Sequence, residues 1–195
     1  MSAPMKKMAK TLNWLCIKKD NNYTSNSVKT VAFIFMGGII ISINNQEDNM
    51  NIRKFKETDL PVVMQIWLDT NIQAHNFISP KYWEENSQMV KSILPQAEVY
   101  VYEDDATNEI LGFIGLTDNF VAGLFVRSDA QSKGIGKQLL DYAKAIKNEL
   151  TLTVYAKNTR AINFYHREQF TTDSEKTDDN TGEKEFILVW KTNEV

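Results

Sequence analysis

The feature that most constrains this chain is the stretch 124–143, LFVRSDAQSKGIGKQLLDYA, which predicts a strand, a glycine-containing turn and a helix in direct succession. Apolar residues after the turn recur at helical spacing, at Ile135, Leu139, Leu140, Ala143 and Ile146. The first N–H groups of such a helix have no intrahelical acceptor, and the helix dipole adds partial positive charge there. The stretch therefore predicts an anion-binding turn whose natural ligand is a phosphate group.

The glycine spacing separates this turn from two well-known phosphate loops. A Walker loop needs a glycine at position 131 and a Ser or Thr at position 138, and this chain has glutamine at both. A dinucleotide fingerprint needs a third glycine at position 139, which is Leu139. Both kinds of nucleotide site are therefore excluded.

The spacing that is present, Gln-x-x-Gly-x-Gly at Gln131, Gly134 and Gly136, resembles the acetyl-CoA pyrophosphate loop of the GNAT superfamily of N-acetyltransferases. A Cβ on either glycine would hold a diphosphate away from the backbone amides. Two glycines alone are a weak signal, because any helix can begin at a flexible turn.

A second pattern strengthens the resemblance. The stretch from Asn158 to Tyr165 reads Asn-x-x-Ala-x-x-Phe-Tyr and is similar to the last helix of the same superfamily. Two motifs in this order and at this separation are more specific than either alone. One departure is Gln169, which precedes Phe170 where the family usually has a glycine, so the helix would end on a left-handed residue that is not glycine.

The resemblance implies a GNAT-type α/β (α+β) fold, with a mixed, mostly antiparallel central sheet and helices on both faces in a single domain. It implies acetyl-CoA as cosubstrate and no metal. The residues that it assigns to acetyl-CoA are Leu124, Phe125, Val126, Gln131, Ser132, Lys133, Gly134, Ile135, Gly136, Lys137 and Asn158. By the same analogy a backbone N–H near Phe125 or Val126 stabilises the oxyanion, and Tyr165 protonates the departing thiolate.

The acceptor side is predicted from a weaker pattern. The arrangement of His75, Phe77 and Ile78, followed by Tyr82, is similar to a small bacterial subgroup that includes peptidyl-lysine acetyltransferases. It implies substrate-side roles for His75, Phe77 and Tyr82, although a lone histidine in a polar loop is also typical of a surface residue. A lysine amine must lose a proton before it attacks, and Glu103 and His75 are both candidates to accept that proton.

The rest of the chain predicts the elements of a mixed α/β sheet. Thr58 is expected to cap a first helix, and Ser79 a second helix that begins at Pro80. Residues 171–184 are expected to form an acidic loop, and one or two strands are expected after the last helix. Predicted strands lie at 51–55, 98–103, 110–116, 120–126, 150–156 and 185–191.

Residues 1–49 are predicted to be a poorly ordered N-terminal extension, and residues 50–195 to be the N-acetyltransferase domain. The extension is interpreted as the product of a start codon upstream of Met50, and a strand or helix is expected only near 31–43. The apolar run at 31–43 is too short to cross a bilayer of roughly 30 Å as a helix, and it contains Gly37 and Gly38. We expect no stable membrane insertion, with a membrane tether as the alternative.

The charge and the cysteine content indicate which binding partners and which cellular compartment to expect. Residues 50–195 hold 16 of the 22 basic and 22 of the 25 acidic residues, which is a net charge of −6. An acidic surface disfavours nucleic acid and is compatible with cationic acceptors. The single cysteine, Cys16, excludes an internal disulfide and indicates a reducing compartment, so a cytoplasmic protein is expected.

The sequence is compatible with three functions. The first is an acetyl-CoA-dependent enzyme that acetylates a primary amine, such as a protein lysine, by direct attack in a ternary complex. The second is an acetyltransferase for a small amine, such as an amino sugar, a polyamine or an amino acid. The third is a non-catalytic module that binds acyl-CoA. The acceptor and the oligomeric state are not determined, because acceptor walls in this fold are built from variable loops.

Overall fold

The computed structural model describes residues 51–192, which form a seven-stranded sheet with helices on both faces. The strands are β1 (Ile52–Lys54), β2 (Glu98–Glu103), β3 (Ile110–Thr117), β4 (Phe120–Val126), β5 (Glu149–Tyr155), β6 (Thr171–Thr177) and β7 (Lys184–Lys191). The helices are α1 (Leu60–Ala74), α2 (Pro80–Ile93), α3 (Ile135–Ile146) and α4 (Thr159–Arg167). The predictions for residues 1–49 lie outside the described part of the chain.

The strand order β1-β2-β3-β4-β5-β7-β6 is antiparallel except between β4 and β5. These two parallel strands pair at Phe120 and Thr151, near the start of both. Beyond that pair no further β4–β5 register is formed, so the sheet opens between their carboxyl ends. The mixed, mostly antiparallel sheet of the predicted fold is confirmed.

Two apolar cores, one on each face of the sheet, hold the layers together. One lies under α1 and α2 and includes Val63, Trp67, Val90, Val101 and Phe113. The other lies under α3 and includes Ile114, Leu139, Leu140, Leu152 and Tyr165. Among the residues that the structure describes, no helix is long and apolar enough to cross a membrane.

Two predictions about local structure are wrong. Thr58 does not cap α1, because a single 3-10 turn (Glu57–Asp59) precedes the helix and Asp59 takes the N-cap position. Residues 171–184 are not all loop, since β6 pairs with β7 along Thr171–Thr177. Every residue of β6 is exposed, so this edge strand lacks the alternation of apolar and polar residues that marks a half-buried strand.

α4 ends at a residue in the left-handed conformation, which is costly for a glutamine. Gln169 is left-handed, with φ of 68°. Its N–H donates to the carbonyl of His166 at 3.0 Å, and the N–H of Phe170 donates to the carbonyl of Tyr165 at 3.0 Å. This pair of bonds is a Schellman motif, which normally carries a glycine where Gln169 stands.

Candidate active site

A single cavity of about 1160 Å³ connects the start of α3, the opening between β4 and β5, and the region where α1, α2 and the β6–β7 connection meet. It is lined by twelve of the predicted site residues: His75, Tyr82, Leu124, Phe125, Val126, Gln131, Ser132, Gly134, Gly136, Lys137, Asn158 and Tyr165. Phe77, Glu103, Lys133 and Ile135 do not line it. The two predicted halves of the site, for acetyl-CoA and for the acceptor, therefore share one space.

The turn before α3 has the geometry of an anion site. Gly134 is the N-cap residue and is left-handed, with φ of 87°. The N–H of Gln138 donates to the carbonyl of Gly134 at 3.0 Å, which makes it the first N–H of α3 to find a helical acceptor. The amides of residues 135–137 therefore lack intrahelical partners, as the first turn of a helix must.

Packing within the protein does not require a glycine at position 136. A Cβ built on Gly136 would lie 3.7 Å from both Phe164 and Val126, which is ordinary van der Waals contact. The protein alone thus has room for alanine at a helical position where glycine is less stable. A diphosphate seated on these amides fits the turn and explains the glycine, because a Cβ would occupy the space that the ligand needs.

Gln131 connects the turn to β4 and α4 through two hydrogen bonds of its side chain. Its Nε2 donates to the carbonyl of Val126 at 3.0 Å, and its Oε1 accepts from Arg160 Nη1 at 2.8 Å. Arg160 also donates to the Ser132 hydroxyl at 3.3 Å and lines the cavity. The sequence prediction missed Arg160, although it lies inside the last-helix motif two residues after Asn158.

Three residues predicted to contact acetyl-CoA differ in their surroundings. Ile135 is 4% exposed and packs in the core beneath the turn. The ammonium of Lys137 lies 2.6 Å from Asp141 and 3.6 Å from Glu168, so nearby carboxylates balance its charge. Lys133 is exposed outside the cavity lining. The positive charge at the turn before α3 therefore comes from the backbone amides and Arg160 more than from the lysines.

The edge of β4 that faces the opening is identified by its hydrogen bonds. The N–H of Arg127 donates to Leu111 of β3, and in an antiparallel pair the bonded residues alternate. The N–H of Phe125 therefore points to β3, whereas those of Leu124 and Val126 point toward β5. Of the two predicted oxyanion donors, Val126 has the geometry and Phe125 does not.

Asn158 and His75 join the two halves of the cavity. Asn158 caps α4, with its Oδ1 accepting from the N–H of Ala161 at 3.1 Å. Its Nδ2 lies 3.4 Å from His75 Nε2, so the histidine nitrogen accepts and the proton is assigned to Nδ1. Burial lowers the pKa of His75 to about 4, against a smaller opposing effect of the Asn71 carbonyl. The imidazole is thus neutral at physiological pH.

An aromatic wall surrounds His75. Its ring stacks on Trp83 at 5.2 Å and meets the edges of Tyr155 at 5.2 Å and Phe77 at 5.8 Å. Phe77, although outside the cavity lining, therefore supports the ring that lines it. Within residues 51–192, His75 Nδ1 and Trp83 Nε1 are buried and have no hydrogen-bond partner.

Tyr165 lines the cavity, and its hydroxyl group is protonated. The residue is 8% exposed, and its ring packs against Phe164 and Phe170. Burial raises the pKa of its hydroxyl well above the usual value. In the part of the chain that the structure describes, this hydroxyl has no hydrogen-bond partner, so it is available to a ligand.

Glu103 lies away from the cavity, at the end of β2. Its carboxylate accepts from the guanidinium of Arg53, with the Nε contact at 2.7 Å, and the same guanidinium binds Asp59. A carboxylate bound in this way outside the cavity has no route to the acceptor amine. Of the two predicted proton acceptors, His75 lines the cavity and Glu103 does not.

An acidic end of the cavity was not predicted. It contains Lys176, Asp178, Asp179 and Glu185, together with Tyr155. These residues come from β5, β6, β7 and the β6–β7 connection, and only strand pairing brings them together. Residues 51–192 hold no group of three or more side chains suited to a metal ion.

Comparison with known proteins agrees with this geometry. Residues 95–172 match the family described as "Acetyltransferase (GNAT) domain". The chain is 33% identical over 141 residues to peptidyl-lysine N-acetyltransferase YiaC of Escherichia coli (strain K12), a match covering 71% of this chain and 95% of that protein. It is 31% identical over 139 residues to peptidyl-lysine N-acetyltransferase YjaB of Salmonella typhimurium (strain LT2), with coverage of 71% and 95%.

A solved structure supports the same relationship. The solution structure of apo-form YjaB from Escherichia coli superposes with a TM-score of 0.64 at 26% identity, covering 71% of this chain and 95% of that one. The match to YiaC, one third identical over nearly the whole length of that protein, meets the level at which a family is shared. The chain therefore belongs to the GNAT family of acetyltransferases and is an acetyl-CoA-dependent N-acetyltransferase.

Proposed function

We propose that this enzyme acetylates lysine side chains of proteins, by direct attack of the amine while both substrates are bound. The observation that carries the proposal is the continuous cavity, which joins the turn at Gly134 and Gly136 to an aromatic and acidic wall. A long cationic side chain fits such a wall, because carboxylates attract the ammonium and aromatic rings pack on its methylene stem. The two relatives named as peptidyl-lysine acetyltransferases support this acceptor.

Acetyl-CoA supplies the thioester from which the acetyl group is taken. The amides of residues 135–137 and the guanidinium of Arg160 are suited to its diphosphate. The free edge of β4 at Leu124 and Val126 can pair with an extended arm in the manner of an added strand. Asn158 is within reach of the same arm, since its side chain lines the opposite side of the opening.

Two groups are suited to the acyl-transfer step itself. The N–H of Val126 points into the opening, where it can donate to the oxygen that becomes negative as the amine attacks. The Tyr165 hydroxyl, kept protonated by burial, can donate its proton to the departing sulfur. A thiol is more acidic than this phenol, so the phenolate that remains must regain a proton. The proton that the attacking nitrogen loses as the amide forms supplies it, and the transfer consumes no net proton.

The acceptor amine must reach the site and lose a proton. At pH 7 a lysine ammonium with a pKa near 10.4 costs about 4.6 kcal/mol to deprotonate, at about 1.36 kcal/mol per unit. His75, whose pKa is about 4, is a weak base for this purpose. This first proton is therefore given to solvent water before the neutral amine attacks, and the carboxylates at the acidic end hold the ammonium at the start of the reaction.

The test uses the full-length chain with acetyl-CoA and three acceptor classes, which are lysine peptides, polyamines and amino sugars. Thiol release is followed together with the mass of each acceptor. We expect one acetyl group on lysine peptides and none on matched peptides in which norleucine replaces lysine. Turnover with only the small amines would overturn the lysine assignment, and binding of acetyl-CoA without turnover would favour a non-catalytic module.

The location of the enzyme and its other partners stay predictions from composition. The lone cysteine favours the cytoplasm, and the acidic domain disfavours nucleic acid.

A further inference from the structure

Glu185 is a buried carboxylate in the wall of the cavity. The residue is 5% exposed, and it lies at the start of β7 opposite Tyr155 of β5. Directly paired residues of antiparallel strands point to the same face of a sheet. Glu185 therefore shares the face on which Tyr155 meets His75, which is the acceptor side of the cavity.

The carboxylate of Glu185 already holds an ammonium group. Lys176 of β6 is its cross-strand partner, and Lys176 Nζ lies 3.4 Å from Glu185 Oε2. The side chain of Lys176 is 40% exposed, whereas that of Glu185 is 7% exposed. Since both residues line the cavity, the lysine reaches the buried carboxylate from its solvent side.

The groups around Glu185 are arranged for a cation. The Tyr155 hydroxyl donates to Asp178 Oδ2 at 2.7 Å, which fixes a second carboxylate beside the same wall. Burial, assisted by the negative charges of Asp178 and Glu185, raises the pKa of Tyr82 to about 12. The charges of both carboxylates therefore reach the hydroxyl of Tyr82, which lines the acceptor side of the cavity.

We propose that Glu185 recognises the ammonium of the acceptor, and that Lys176 occupies this position until the acceptor displaces it. The inference rests on the proposed function and specifies its substrate class, which is a cationic primary amine at the end of an unbranched chain. Displacement exchanges one ion pair for another at Glu185, so the buried carboxylate stays paired, while the ammonium of Lys176, whose side chain is 40% exposed, is released to solvent. A neutral nucleophile would have to leave Lys176 in place, and Glu185 would not contribute to its binding.

The same hairpin provides a matched control. Glu175 and Lys184 form an ion pair of 3.3 Å between the same two strands, with exposed fractions of 59% and 67%. Neither residue lines the cavity. Substitutions of this pair change the same kinds of charge on the same strands without touching the site.

The experiment compares Glu185→Gln with Glu175→Gln in the full-length chain. Each is assayed with a lysine peptide and with the same peptide carrying an aminooxy side chain of equal length, which is neutral at pH 7.5. We expect Glu185→Gln to lower kcat/KM for the lysine peptide by about 10- to 100-fold, the effect of losing a charge-assisted hydrogen bond. The aminooxy peptide should change by less than about threefold, and Glu175→Gln should match the wild type.

A second pair of variants tests the displacement. Lys176→Met should lower KM for the lysine peptide, because the acceptor no longer competes with a resident ammonium, while Lys184→Met should leave it unchanged. A loss in Glu185→Gln that is equal for the two peptides would mean a merely structural role and would overturn the inference. No loss would also overturn it.

The failure of this inference is distinguishable from the failure of the proposed function. If the wild type acetylates no lysine peptide, the acceptor assignment is wrong, whatever Glu185 does. Binding of n-butylammonium chloride, measured by calorimetry, needs no turnover and then decides the inference. We expect at least about tenfold weaker binding in Glu185→Gln than in Glu175→Gln, and equal binding would refute the role of Glu185.

Discussion

Replacing Gly136 by alanine should stabilise the free protein and weaken its binding of acetyl-CoA. The new Cβ would lie 3.7 Å from Phe164 and Val126 and 3.9 Å from Leu124, so nothing in the protein must move. Alanine is favoured over glycine in a helix by about 1 kcal/mol, and the free energy of unfolding should rise by about that amount. For a domain of this size the increase in Tm is about 2–4 °C.

Binding should change in the opposite direction. The methyl group would stand in front of the amides of residues 135–137 and hold a diphosphate away from at least one of them. A hydrogen bond to a charged group contributes about 1.5–3 kcal/mol. The Kd for acetyl-CoA should therefore increase about 10- to 100-fold, because each 1.4 kcal/mol is a factor of ten.

The assay pairs thermal unfolding with calorimetric titration of acetyl-CoA. Gln138→Ala, at an exposed position of the same helix, is the control and should change Tm only slightly and Kd not at all. Unchanged affinity in Gly136→Ala would show that the diphosphate does not sit on this turn. A lower Tm in the absence of ligand would refute the claim that the protein has room for the methyl group.

Three further outcomes are expected. Tyr165→Phe should lower kcat by at least about tenfold with little change in acetyl-CoA affinity, measured by steady-state kinetics and calorimetry, and an unchanged kcat would remove Tyr165 from the mechanism. His75 has a folded pKa of about 4 against 6.5 when unfolded, so stability falls as pH drops from about 6.5 toward 4. Denaturant unfolding of the wild type should lose about 2 kcal/mol more than His75→Gln between pH 7.5 and pH 5, and parallel curves for the two proteins would refute the burial argument. Gln169→Gly should raise the free energy of unfolding by about 1 kcal/mol, since glycine adopts the left-handed conformation without steric cost, and no gain would mean that Gln169 makes a compensating interaction.

Most elements of the fold could be predicted because their signals are local. The strand, turn and helix from 120 to 146 follow from the period of apolar residues and from the glycines, which act over a few positions. The departure at Gln169 was also visible, because a Schellman turn depends on one residue. The strand β6 could not be predicted, since its exposed residues carry no periodic pattern and it is held by backbone pairing with β7.

The candidate site divides in the same way. The turn at Gly134 and Gly136 lies within one stretch, so the sequence by itself determined the family and was enough to predict an anion site at this turn. The pairing of β4 with β3 favours Val126 over Phe125 as the oxyanion donor. The reason is that the direction of the backbone hydrogen bonds alternates along a strand, whatever the side chains are. Sequence spacing alone contains no information about that alternation.

The charged part of the acceptor end was decided by tertiary structure alone, although His75 and Tyr82 beside it were predicted from the sequence. Glu103 is far from Arg53 in sequence, yet strand pairing between β1 and β2 brings their side chains together and removes Glu103 from consideration. The opposite happens to Glu185, which reads as the polar start of an apolar strand but meets Lys176 and faces the cavity. Local propensities act between near neighbours in sequence, whereas the charged residues at the acidic end of the cavity come from strands whose proximity only the folded sheet defines.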